Sequence, residues 1–374
     1  MIETEEHTAF RESCRRFAEQ EIAPLVDEAE RTGKYPKELR RKAGQAGFLS
    51  ITAKPEYGGA GAGWVFQCIC VEEFARVCAG LATGLGGLAF RLLPSIGTPE
   101  QIEKYYLPTI QGTKAGAFAM SEPDAGSDVL AMKTRAKRTN QGWRITGSKM
   151  YITGAPYADY LVVVAYTDPE AKARGVSLFL VDTNTAGIEI QKMDKLGHRS
   201  METGMVFLDC EVPQEALFGE EGQGMPNVMS VLESGRLTHA ARSLGVARAC
   251  HELASEQAAT RKAFGNTINQ FQAIQFKLAR MAIELRSAKL HVYDAAQRYD
   301  AGQKIQLEAS MAKVVASEAA IHLADEAMQI FGGQGYIMDS PIQRFFRDAR
   351  LYPISEGTTE IQLRNIGREV GIRR

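Results

Sequence analysis

Ser355-Glu356-Gly357-Thr358-Thr359-Glu360-Ile361-Gln362, close to the C-terminus, is the stretch on which the reading of this chain turns. It sets one carboxylate at the mouth of a Gly-Thr turn. A glycine cluster, Phe331-Gly332-Gly333-Gln334-Gly335-Tyr336, lies a short distance upstream. Alone, a Glu-Gly dipeptide reads as a solvated turn. Here it has company: Ala119-Met120-Ser121-Glu122-Pro123-Asp124-Ala125-Gly126-Ser127-Asp128 comes earlier, followed by Lys149-Met150-Tyr151-Ile152-Thr153.

The chain's 374 residues are long for one core, so two or three domains are expected. Apolar residues at 45% and charged residues at 24% are ordinary for a globular enzyme. A net charge of -1 gives no reason to invoke nucleic acid or an anionic membrane. The run Arg40-Arg41-Lys42 reads as the solvated face of a helix. No apolar run approaches the ~20 residues that span a bilayer. The start, Met1-Ile2-Glu3-Thr4-Glu5-Glu6, is acidic and lacks the basic and apolar segments of a secretory signal. The six cysteines contain no CxxC pair, which points to free thiols in a reduced compartment, the cytoplasm. The histidines show no metal-ligand spacing, and no metal is expected.

Helical periodicity runs from Phe10 to Glu30 through Phe10, Cys14, Phe17, Ile22 and Leu25, and a second helix starts at Pro36. Val65 to Leu93 reads as one or two buried helices. Gly84, Gly86 and Ala89 satisfy G-x-G-x-x-A, but a helix-like run precedes them where a dinucleotide site needs a strand, so they read as close helix packing. After Gly116 the pattern changes to short strands: Trp143–Thr146, Tyr160–Ala165, Val176–Val181 and Met205–Leu208. Pro226 opens a helical stretch reaching about Phe331, with breaks near Gly265 and Gly302.

The blocks around Ser121, Tyr151 and Glu356, in that order and at those separations, resemble the acyl-CoA dehydrogenase family of flavoproteins. The resemblance covers nearly the whole chain. It implies an α+β architecture: an N-terminal helical domain (1–115), a central antiparallel β domain (116–222) and a C-terminal four-helix bundle (223–374).

Removing hydrogens from Cα and Cβ of a thioester needs a base on one face and an oxidised flavin on the other. By resemblance the base is Glu356, and the backbone N–H of that residue helps hold the enolate oxygen, a geometry that the small Gly357 suits. Relatives that carry the base elsewhere place it at the position matching Gly235, and glycine is no base. The resemblance assigns FAD to Phe118, Met120, Ser121, Tyr151, Thr153 and Thr358, with Tyr151 standing where most relatives have Trp. Arg261, Phe264, Gln272, Gln329 and Gly333 match contacts made to a neighbour's FAD, implying a dimer, usually a dimer of dimers. Ser127, Glu233 and Arg236 match the channel for the CoA arm, although Glu233 and Arg236 at i and i+3 also fit a plain helix salt bridge.

Arg91 is a charge within the apolar run Leu88-Ala89-Phe90-Arg91-Leu92-Leu93. Either it reaches solvent or a structural carboxylate, or it binds a polar or anionic group on the acyl chain. The implied activity is dehydrogenation of an acyl-CoA to the trans-2-enoyl-CoA, with electrons passing to an electron-transfer flavoprotein. A carrier-protein-tethered substrate, an enoyl-thioester reductase, an oxidase and an inactive flavoprotein subunit stay open as alternatives.

Overall fold

The computed structural model describes residues 3–371, so Met1 and Ile2 of the acidic start lie outside it. The helix expected from Phe10 to Glu30 is divided into α1 (Glu5–Phe17) and α2 (Val26–Thr32), joined by a π turn and a 3₁₀ turn. Pro24 lies in that junction, where its missing N–H rules out a continuous α-helix. Cys14, Ala18, Ile22 and Val26, four residues apart, still face the core.

Helix α3 (Lys37–Gln45) begins just after Pro36, as its sequence suggests. The run at its centre is not all solvated. Arg41 and Lys42 pair with surface glutamates, but Arg40 is buried and donates to the carbonyls of Gly84 (2.5 Å), Thr109 and Lys114 (both 3.3 Å). Three carbonyls meet both terminal nitrogens of a buried guanidinium that periodicity alone placed in water, while its Nε stays unpartnered.

The buried stretch after residue 63 forms three helices: α4 (Trp64–Val77), α5 (Ala79–Gly84) and α6 (Ala89–Ile96). Extended Cys78 separates the first two. Ala79–Ile96, with mean hydropathy 1.2, comes closer to a membrane-spanning composition than expected, but it folds as two short helices and is half buried. Gly84 closes α5, and a Cβ there would strike the Tyr35 ring, as close packing predicts. A Cβ on Gly86 would meet only the Thr83 carbonyl, at an ordinary 3.9 Å, so packing does not explain that glycine. Among the described residues no strand precedes either one, which removes the dinucleotide reading. Short α7 (Pro99–Gln101) and α8 (Leu107–Ile110) complete the N-terminal third.

Seven strands follow: β1 (Gly116–Ala119), β2 (Arg135–Thr139), β3 (Gly142–Thr153), β4 (Tyr160–Tyr166), β5 (Val176–Asp182), β6 (Ile188–Lys192) and β7 (Thr203–Val212). They form one sheet in the order β1-β4-β2-β3-β7-β6, with β5 also on β4. The expected antiparallel arrangement needs a correction, because β4 pairs in parallel with β1 and, at one residue pair, with β2. The β2–β3 hairpin lies between β1 and β4 in sequence and supplies the crossover that parallel neighbours require. Strand β4 is buried along its whole length, as a strand covered on both faces must be.

Long helices α9 (Gly224–Thr260), α10 (Gln272–Asp300) and α11 (Gln306–Phe331) build the C-terminal bundle, with α12 (Pro341–Ala349) and α13 (Thr359–Glu369) packed on α11. Helix α4 also packs on α9, where Gly245 admits the Glu72 carbonyl and the Ala75 methyl group. One apolar core therefore runs through both helical regions, while a second joins α6 and the start of α9 to one face of the sheet. The residues around Glu356 lie where α6 and α9 meet.

Candidate active site

Glu356 and Gly357 are consecutive left-handed residues (φ 53° and 86°), and α13 starts directly after them with Thr358 as its N-cap, accepting from the Ile361 N–H at 3.4 Å. A left-handed glutamate costs on the order of 1 kcal/mol and persists only where neighbours fix it. Three bonds do so. Lys313 Nζ donates to the Gly357 carbonyl at 2.8 Å, and Gln362 Nε2 donates to the carbonyls of Gly357 (3.0 Å) and Glu356 (3.3 Å). Lys313 and Gln362 are both fully buried. Burial pushes the Lys313 ammonium down to about 8, against the pull of Glu356 and Glu360.

The Glu356 side chain extends toward α9. A Cβ on Gly235 would stand 2.9 Å from Oε2 and 3.0 Å from Leu88 Cδ2, so the glycine leaves a notch that the carboxylate occupies. Oε1 lies 3.9 Å from His239 Nδ1. His239 Nε2 is 3.0 Å from the Tyr352 carbonyl, which only accepts, so Nε2 carries the hydrogen and Nδ1 faces the carboxylate as a bare lone pair. Burial, then the charge of Arg242, holds His239 well below its usual range and therefore neutral. Oε2 and Nδ1 are both buried without a hydrogen-bond partner. Among the described residues the Glu356 N–H also has no acceptor.

Arg236 is buried nearby; burial lowers its pKa, and Glu233 and Glu356 oppose that shift. Among the described residues Glu233 and Arg236 form no ion pair, which removes the plain helix salt bridge; Glu233 instead accepts from the Ile305 N–H at 3.3 Å. Arg91 is only partly exposed, and among the described residues it forms no ion pair with a carboxylate. It donates to Ser234 Oγ (3.3 Å) and Thr238 Oγ1 (2.9 Å), with Trp64 beside it.

On the sheet, Phe118 and Met120 are half-buried against the same core as Leu88, Phe90 and Leu232. A buried Lys149–Glu122 pair (2.8 Å) holds the loop that carries Ser121, Lys149 also donating to the Met120 carbonyl and Glu122 accepting from the Lys133 and Thr134 N–H groups. The Ser121 carbonyl accepts from Met150 N at 2.9 Å. The β3–β7 register shifts between Lys149 and Ile152, and Tyr151 in that bulge has φ 62° and a residue exposure of 62%. An uncovered aromatic side chain on a strained backbone, with exposed Thr153 two residues on, fits a planar aromatic cofactor such as a flavin. Ser127 is exposed in the loop beyond Ser121.

The remaining expected residues are elsewhere. Arg261, Phe264, Gln272, Gln329 and Gly333 are all exposed at one end of the bundle. Arg261 follows the last turn of α9, some 38 Å along its axis from Arg236. One chain does not bring them to Glu356. The sequence reading missed His239, Lys313, Gln362 and Arg242. Lys313 and Arg242 carried a signal, being cations within small or apolar helical runs.

The sequence matches the acyl-CoA dehydrogenase N-terminal, middle and C-terminal domains over residues 4–113, 117–210 and 222–371. It is 42% identical to a 3-(aryl)acrylate reductase of Clostridium sporogenes, covering 97% of each chain. The fold superposes on butyryl-CoA dehydrogenase of Megasphaera elsdenii with a TM-score of 0.94 at 36% identity, covering 99% of each chain. A chain in a structure described as the electron transferring flavoprotein of Acidaminococcus fermentans gives 0.96 at 35% identity, again over 99% of each. The protein belongs to the acyl-CoA dehydrogenase family, which are flavoprotein oxidoreductases.

Proposed function

We propose that this chain dehydrogenates an acyl-CoA thioester to the trans-2-enoyl-CoA, with Glu356 as the base that removes the α-proton. The carboxylate in the Gly235 notch, one oxygen buried and unpartnered, carries the reading. A base so placed is partly desolvated and aimed, and the free Glu356 N–H supplies a donor for the thioester oxygen as charge develops there. Lys313 and Gln362 keep both groups in register by holding the two carbonyls of the turn. Arg236, Glu233 and Ser127 would line the route of the CoA arm.

FAD, when bound, supplies the acceptor for the β-hydrogen. Phe118, Met120, Ser121, Tyr151, Thr153 and Thr358 would hold it. Arg261, Phe264, Gln272, Gln329 and Gly333, too far along the bundle to serve their own chain's site, would be offered to a second copy, which makes the protein at least a dimer and suits a dimer of dimers. Exposed Phe276, Ile283 and Leu290, seven residues apart on α10, support such pairing. An electron-transfer flavoprotein would take the electrons, and the buried free cysteines suit a cytoplasmic setting.

A second reading is the reverse reaction. The similarity to a 3-(aryl)acrylate reductase supports it, as does His239, whose bare Nδ1 is able to accept a hydrogen bond from the carboxylic acid form of Glu356.

Anaerobic titration with acyl-CoAs tests the main reading. Glu356→Gln is expected to retain flavin and bind thioester while losing flavin bleaching by several orders of magnitude. Bleaching at the wild-type rate would assign the base elsewhere.

A further inference from the structure

Arg91 on α6 and Arg242 on α9 line one partly open cavity with Trp64, Gln67, Thr52 and Thr238, and its lining holds no Asp or Glu. The guanidinium of Arg91 meets only neutral groups: the hydroxyls of Ser234 and Thr238, and the Trp64 ring, whose centroid is 5.3 Å away. Arg242 is only 8% exposed, and among the described residues its side chain makes no hydrogen bond and no ion pair. Arg11, buried to the same degree, is met by the carboxylates of Glu3, Glu72 and Glu73. Two like charges that share one cavity, neither with a carboxylate at ion-pair distance, are costly unless something else supplies the counter-charge.

The cavity's position says what that something is. Gly235, Thr238 and Arg242 lie at i, i+3 and i+7 on one face of α9. On α6, Leu88 closes the Gly235 notch and Arg91 sits one turn farther on. The arginines are thus roughly 5–10 Å along α9 from the Glu356 carboxylate, the reach of a short acyl chain whose Cα is at the base. Burial pushes Arg91 down to about 10; Glu356 opposes that shift and Arg242 adds to it. The pair favours an incoming anion over an alkyl end.

We propose that this cavity is an anion subsite of the acyl pocket, in which Arg91 and Arg242 together bind the free carboxylate of a short dicarboxylyl thioester. The assignment rests on the acyl-thioester reading above and names its substrate class. Arginine suits this role because its planar fork pairs with both oxygens of a carboxylate.

The test measures binding and turnover separately, with glutaryl-CoA, adipyl-CoA, butyryl-CoA and hexanoyl-CoA on the flavin-loaded enzyme. Calorimetry on Glu356→Gln gives affinity without chemistry. Wild-type kcat/KM is expected to favour a dicarboxylyl thioester. Arg91→Met and Arg242→Met should each lower the glutaryl-to-butyryl ratio on the order of 30-fold or more. Arg91→Lys, which keeps the charge, should lose less, and flavin content with melting temperature checks that each variant folds. A wild-type preference for butyryl-CoA, or a ratio that neither methionine variant alters, overturns the subsite. If no thioester is turned over but the dicarboxylyl ligands bind tighter, and Arg91→Met equalises them, the subsite stands and the proposed reaction is what fails.

Discussion

Oε2 of Glu356 lies 2.9 Å from the point where a Cβ on Gly235 would stand. A carboxylate from the turn before α13 and an absent side chain on α9 thus occupy complementary space, although the two residues are far apart in sequence. The missing atom at 235 is part of the site. Gly235→Ala should therefore displace the carboxylate. The methyl group also meets Leu88 Cδ2 at 3.0 Å; both contacts are the far ends of flexible side chains, so these side chains shift and the helix does not. The helix itself tolerates alanine better than glycine. We expect flavin content and melting temperature close to wild type, with kcat reduced about 10- to 100-fold by misplacement of the base. Full kcat in a folded variant would show that the notch does not position Glu356.

Lys313→Met tests the turn. It removes the bond to the Gly357 carbonyl and leaves that acceptor dependent on Gln362 alone. Losing the charged one of two hydrogen bonds to that carbonyl costs about 1.5–3 kcal/mol, most of it local to the Glu356 turn. The expected result is a fall in kcat with little change in the affinity of Glu356→Gln/Lys313→Met for a thioester. A loss confined to KM would make Lys313 a binding residue.

How much of this was legible in sequence follows from physical range. Local rules found α3 at Pro36 and the apolar strands β4 and β5, because capping and β-branched runs act over a few residues. They missed the parallel β1–β4 pairing, which is set by where a whole hairpin is inserted. Glu356 was legible through its turn chemistry and the family pattern around it. His239 and Lys313 were not, because a polar residue on a helix becomes a site residue only when a distant turn packs against it. Arg40 shows the converse: its three carbonyl acceptors come from α5 and from around α8, which no local pattern announces.

Stability should fall in two stages on acidification. His198 and His239 are buried and held well below 6.5, so the unfolded chain binds more protons and stability declines as pH drops through about 6.5. Asp348, pushed up to about 6 by burial, works in the opposite sense between pH 4 and 6 and makes that slope shallower. Glu73 is held at about 2: burial opposes its ionisation, but Arg248 and Arg11 outweigh it. Its contribution is present above 4.5 and lost as pH falls toward 2. Melting temperature against pH should show a gentle decline below 6.5 and a steep one below 4.5, the steep limb flattening in Glu73→Gln. An unchanged steep limb in that variant would remove the Arg11–Glu73–Arg248 cluster as its cause.

Phe276, Ile283 and Leu290 are 57%, 69% and 45% exposed, and seven-residue spacing aligns them on one face of α10. Gln272 opens the same helix, and Arg261 with the fully open Phe264 (95% exposed) lies just before it. If that face pairs with a second copy, the interface and the second half of each FAD site are lost together. Phe276→Glu/Ile283→Glu places two charges in the apolar stripe and touches no residue assigned to flavin. It should yield a monomer by light scattering, with native helix content and bound FAD reduced at least tenfold. A monomer that keeps stoichiometric FAD would show that Arg261, Phe264 and Gln272 do not serve a neighbour's cofactor, and an intact oligomer would move the interface off this face of α10.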